Sequence, residues 1–155
     1  MNSAGKSQFL RLDLTDLAVQ EKVLFSTLPH NVQSLCEQIN ASYENHLYDC
    51  AAVVMRRLLE SLLVLAFQNA NIEAEIMDKS GSHHIALDGI IKKAEQNAVL
   101  ALSSNTKKDM VLFKDLGNYS AHKIWYNCTQ GDLKPHILKY RAIIEELLYK
   151  SGMRA

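Results

Sequence analysis

The sequence predicts an all-α fold, an up-and-down bundle of four to five helices, and three observations carry that prediction. The 155 residues include only two prolines and six glycines, so few positions break a helix. Alternating polar and apolar runs are scarce, whereas apolar residues recur at three- and four-residue spacing in several stretches. The stretch from Cys50 to Phe67, CAAVVMRRLLESLLVLAF, is rich in strong helix formers and interrupted only by Arg56, Arg57, Glu60 and Ser61. Its apolar side chains point almost all the way round, so a helix there needs cover on more than one side and becomes the core. Its length suits a membrane span, but three charges near the middle each cost a few kcal/mol in lipid. No membrane is expected.

The totals bound the rest. A chain of this length forms one domain with a sizeable core, read here as residues 29–151 behind an N-terminal arm, residues 1–28. Lys plus Arg equals Asp plus Glu at 17 each, so net charge gives no nucleic-acid or membrane footprint. Cys36, Cys50 and Cys128 lie far apart without CxxC spacing, which fits reduced thiols in a cytoplasmic protein. The opening MNSAGKSQFL lacks the apolar core of a secretory signal.

Taken in order, residues 1–10 are a polar leader, and Leu12, Leu14, Leu17, Val19 and Val23 then mix with acids in a packing arm or short strand. Leu28-Pro29 opens a first helix over 29–44, since proline is tolerated in a first turn. Val32, Leu35, Cys36, Ile39 and Tyr43 form its apolar stripe. Asn45-His46 marks a break or kink before the central helix, 47–69, which Asn-Ala-Asn ends. A polar segment centred on Lys79-Ser80-Gly81-Ser82 leads to a third helix over 85–96. Ser103 to Thr106 offer several N-caps for a fourth helix, 107–121. Gly117 inside it costs up to about 1 kcal/mol against alanine, which predicts close packing or a bend there. Asp132 is the expected N-cap of a last helix, 132–151, with Leu133, Ile137, Tyr140, Ile144, Leu147 and Leu148 in one stripe and Gly152 as its stop.

Few residues suggest chemistry. His83 and His84 are adjacent and would diverge on a helix, and no HExxH or paired CxxC accompanies them, so neither metal nor cofactor is expected. Cys50, set among Ala and Val, reads as a small buried hydrophobe. Cys128, near Lys123 and two aromatics, reads as the most exposed thiol. The strongest signal is Gly117-Asn118-Tyr119-Ser120-Ala121-His122. On a helix Asn118 and His122 share a face, and both side chains can donate and accept hydrogen bonds. Arg56, Arg57 and Glu60 bring charge to the central helix at the same spacing. If the two helices pack together, Glu60 is expected to meet Asn118 or His122 in a polar cluster. That cluster is either a register-fixing network or a catalytic or binding centre.

Three segments, AAVVMRRLLESLL, LDGIIKKAEQN and LGNYSAH, in this order and at these separations, resemble the domain-of-unknown-function family 4145. That family looks like a branch of the HEPN-type helical domains of prokaryotic defence, toxin–antitoxin and restriction systems. The resemblance spans about residues 29–150 and implies a HEPN-like bundle that often dimerises. Active HEPN members are metal-independent RNases, in which an arginine and a polar residue precede a histidine by four to six intervening positions. His122 matches the histidine. The arginine would fall at Asp115, Leu116 or Gly117, none of them basic; Lys114 stands one step outside the window, and Asn118 is closer to the histidine than the usual polar neighbour. The resemblance therefore implies an interaction domain, defence- or nucleic-acid-associated, lacking the full RNase motif. Its expected partners are a second copy of the chain and RNA or another protein. Two alternatives stand beside it: a metal-independent endoribonuclease using His122 with Asn118, and a small-molecule-sensing helical bundle.

Overall fold

Pro29 starts the first helix from outside it. The computed structural model describes residues 28–153, so the N-terminal arm expected over residues 1–28 lies, Leu28 apart, outside the described residues. The Pro29 carbonyl accepts from the backbone N–H groups of Val32 and Gln33 at 3.0 and 3.1 Å. The helix it opens, α1, is His30–Glu44. There follow α2 (Tyr48–Asn69), α3 (Leu87–Gln96), α4 (Ser104–His122), a one-turn α5 (Gln130–Leu133) and α6 (Ile137–Lys150). The fold is an all-α helical bundle. Among the described residues the only extended pairing is an isolated bridge between Met77 and His84. No helix of the described residues is long and apolar enough to cross a membrane.

The chain falls into two compact units, and α2, α4 and α6 each carry residues of both. The first unit holds, among the described residues, 28–58 and 116–137. Val32, Leu35, Cys36, Ile39 and Tyr43 are buried along α1, and Ala51, Ala52, Met55 and Leu58 along the start of α2. The break between these helices is real: His46 sits at φ 60°, a left-handed conformation that stops the helix. Its ring Nδ1 hydrogen-bonds the Tyr48 hydroxyl at 2.7 Å. The last helix does not start on Asp132 as a cap. Thr129 is the N-cap of α5 and Asp132 its reciprocal partner three residues on, each side chain bonding the other's backbone N–H. Pro135 then lacks an N–H to continue the ladder, and a 3-10 turn, Lys134–His136, precedes α6.

The second unit holds 59–115 and 138–153 of the described residues. Leu59, Leu62, Leu63, Ala66 and Phe67 of α2 are buried to the last per cent, as are Ile90 and Ile91 of α3 and Met110 and Phe113 of α4. Phe113 meets Tyr140 of α6 edge-on, ring centroids 4.8 Å apart. Asn71 at φ 59° closes α2, with the Ile72 and Asn71 N–H groups returning to Phe67 and Gln68 carbonyls, as Asn-Ala-Asn predicts. α3 begins at Leu87 rather than at residue 85, because the Ile85 N–H is committed to the Ile76 carbonyl at 2.8 Å. α4 begins three residues earlier than expected, because Ser103 is the candidate cap that is used. Its Oγ accepts from the Thr106 N–H at 3.3 Å. Glu146 of α6 then accepts from the Ser103 N–H and hydroxyl at 2.7 and 2.9 Å and from the Thr106 hydroxyl. Gly152, at φ 76°, ends α6 as predicted, and Asn69 Nδ2 donates to the Lys150 carbonyl beside it at 3.1 Å.

Most of the apolar face of α2 is buried as expected, but Cys50 and Val53 are exposed, as is Arg57 beyond them, all three in the first unit.

Candidate functional site

Gly117 decides where the site residues stand. In the first unit α4 passes α2 so closely that a Cβ on Gly117 would lie 2.9 Å from Arg56 Cδ, closer still to Arg56 Cβ, and 3.0 Å from the Ala52 carbonyl oxygen. The glycine is thus a close-approach residue, and the packing of these two helices, which the polar-cluster reading required, is present there. Arg56 is half-buried against the Gly117 backbone, while Arg57, one step round the helix, is exposed. Glu60 is half-buried and belongs to the second unit.

Beyond Gly117 the helix runs out toward solvent. Asn118 and Ser120 are half-buried, Tyr119 is 37% exposed, and His122 ends the helix exposed. Among the described residues no side-chain hydrogen bond orients the His122 ring. The pairing that does form on this turn is one that sequence reading missed. Lys123 Nζ stands 4.2 Å over the Tyr119 ring centre, and the Tyr119 ring meets Tyr126 edge-on at 5.8 Å. Tyr119 and Lys123 are four apart, and that spacing was the available signal. Lys123 is also held by its N–H to the Tyr119 carbonyl at 3.0 Å, and Tyr126 by its N–H to Lys123 at 3.2 Å. This tight turn leaves Ile124 and Trp125 86% and 94% exposed.

Beneath the turn lies a small polar interior. The two thiol expectations exchange places: Cys128 is buried and Cys50 exposed. The cause is Asp49, whose Oδ1 accepts from the Cys128 N–H at 2.9 Å and draws that residue inward. Burial pushes the Cys128 thiol above its ordinary range, which leaves it a poor nucleophile. Burial likewise pushes the Tyr126 hydroxyl up. The Ser120 Oγ and Tyr126 hydroxyl atoms are both buried, and both interact with the Cys128 thiol, the Tyr126 hydroxyl also with the Asp132 carboxyl. The Thr129 backbone N–H, aided by the Thr129 hydroxyl, holds the Asp132 carboxyl below the usual carboxylate range.

Other candidate chemistry dissolves on inspection. Lys114, the base nearest the motif's arginine positions, belongs to the second unit. There it bridges Asp88 at 3.0 Å and Asp115 at 3.2 Å with 14% of its side chain exposed. His83 and His84 are both exposed; His84 sits in the isolated bridge with Met77, and its Nε2 contacts Glu73 at 2.9 Å. Among the described residues no three His, Cys, Asp or Glu side chains converge as metal ligands would. Two open grooves in the second unit, of about 260 Å³ beside Thr106 and Ile143 and about 480 Å³ beside Leu100 and Tyr149, include none of the predicted site residues. Compared with family models, curated proteins and solved structures, the chain matches none of them.

Proposed function

We propose that the chain is a HEPN-like interaction domain without ribonuclease activity of its own, which pairs with a second copy through the turn after α4. The observation that supports this most is the contrast at the end of α4. His122 is exposed with no described hydrogen bond to orient it, whereas a general acid or base works from a fixed position. Two residues on, Ile124 and Trp125 stand almost wholly in water, as anchors of an interface do. The engagement of Lys114 by two carboxylates points the same way, since it takes the nearest base out of the motif.

Light scattering at tens of micromolar tests the pairing. The expected mass is twice 17.5 kDa, falling to the monomer in Trp125→Ala. A monomer mass for the wild type at that concentration rejects it.

A second reading, a metal-independent endoribonuclease, is favoured by one specific contact. Arg56 lies against Gly117, one of the three positions where the motif's arginine would stand. A guanidinium from α2 then takes the place of one from α4, with His122 acting on the 2′-hydroxyl or the leaving oxygen and Asn118 beside it. EDTA-resistant cleavage of single-stranded RNA, abolished by His122→Ala and by Arg56→Ala, establishes this reading. Absence of cleavage by the wild type leaves the first.

A further inference from the structure

The turn after α4 is one-sided in its chemistry. From Tyr119 to Asn127 it holds His122, Lys123, Ile124 and Trp125, and no acidic residue. Laid on its own likeness across a two-fold axis, it sets Lys123 toward the other copy's Lys123 and gives the cation nothing to meet. A surface that suits this turn offers apolar side chains together with an acid.

We propose that the turn of one copy docks in the groove between α4 and α6 in the second unit of another copy, an inference that rests on the pairing proposed above. This groove of about 260 Å³ is lined by Leu138, Ala142 and Ile143, and Leu138 is 79% exposed. These side chains give Ile124 and Trp125 an apolar surface to leave water for. The polar residues of the groove match the rest of the turn. Asp109, from α4, is the acid for Lys123, and Asn105, one turn earlier, offers a carbonyl oxygen to the indole N–H. Lys139, from α6, is a cation for the indole face. The other exposed apolar surfaces fail on charge. The groove of about 480 Å³ beside Leu100 and Tyr149 is lined by Lys150 and by no acid among the described residues. Exposed Val53 of α2 stands one turn from exposed Arg57. Each would bring cation to cation. Every copy carries one turn and one groove, so a pair exchanges two such contacts and keeps its two-fold symmetry.

Filling the groove of the full-length chain tests this. Ala142 is exposed on α6, so Ala142→Trp occupies the groove without entering the core. The dimer dissociation constant from analytical ultracentrifugation should rise roughly tenfold or more in this variant, with unchanged far-ultraviolet circular dichroism. Charge reversal is the second arm. Lys123→Glu sets an acid against Asp109 and should weaken pairing by roughly tenfold, and adding Asp109→Lys should bring the constant back to within a few-fold of wild type. Unchanged pairing in a folded Ala142→Trp chain, while Trp125→Ala is monomeric, overturns the docking and leaves the pairing standing. So does a folded Lys123→Glu/Asp109→Lys chain that pairs no better than Lys123→Glu. A monomeric wild type overturns the pairing itself, and the docking with it.

Discussion

Arg56 and Gly117 meet where α2 and α4 touch, and no side chain fits between them. Helix propensity alone says that Gly117→Ala should stabilise α4 by about 1 kcal/mol. The packing says otherwise, since the new methyl would overlap the stem of Arg56 and press on the Ala52 carbonyl. Overpacking against backbone costs about 1–3 kcal/mol, so the packing term should win. Urea denaturation should show Gly117→Ala less stable than wild type; a more stable variant would mean that the helices separate without penalty.

Leu62 gives the complementary case of too little volume. It is 0% exposed in the second unit. Leu62→Ala should destabilise by about 2–5 kcal/mol through lost burial and the cavity left behind. A loss under about 0.5 kcal/mol would show that this face of α2 is not buried in solution.

Glu146 makes stability depend on pH. Burial raises its pKa, but hydrogen bonds from the Thr106 hydroxyl and from the Ser103 N–H and hydroxyl outweigh that and hold it below 4.5. A carboxylate depressed in this way stabilises the fold fully above its unfolded value near 4.5. That stabilisation disappears as pH falls through the folded value. Melting temperatures from pH 7 down to pH 3 should therefore fall less steeply for Glu146→Gln than for wild type. Parallel curves would show that the Glu146 contacts do not persist.

His122→Ala, in contrast, should move stability by less than about 0.5 kcal/mol, because the ring is exposed and bonds to no described residue. The same variant therefore reads RNA cleavage without the confusion of unfolding.

The helices were legible because their signals are local. Leu, Ala and Met spacing marks α2 and the apolar stripe marks α6, whoever packs on them. Gly117 was legible as well, since a glycine inside a helix needs a reason. What sequence could not show is which of several equivalent residues is used. Ser103 caps α4 because Glu146, forty-three positions away, holds its hydroxyl and N–H. The two thiols exchanged burial for a similar cause. A carboxylate on α2 draws Cys128 inward, and Cys50 falls on a face of α2 that no count of apolar neighbours distinguishes. The polar cluster was anticipated from i, i+4 pairs, yet helical spacing fixes which residues share a face and not whether that face meets water. For Asn118 the face is half covered and for His122 it is open.

The exposure of Trp125 has an optical consequence. It is the chain's single tryptophan, and at 94% exposed its indole is surrounded by water before the protein unfolds as well as after. Its emission should hardly shift on denaturation, so a tryptophan-detected melt of the unpaired chain would be nearly flat while the helices disappear from the far-ultraviolet circular dichroism. The indole is blind to folding but sensitive to whatever comes to lie against it.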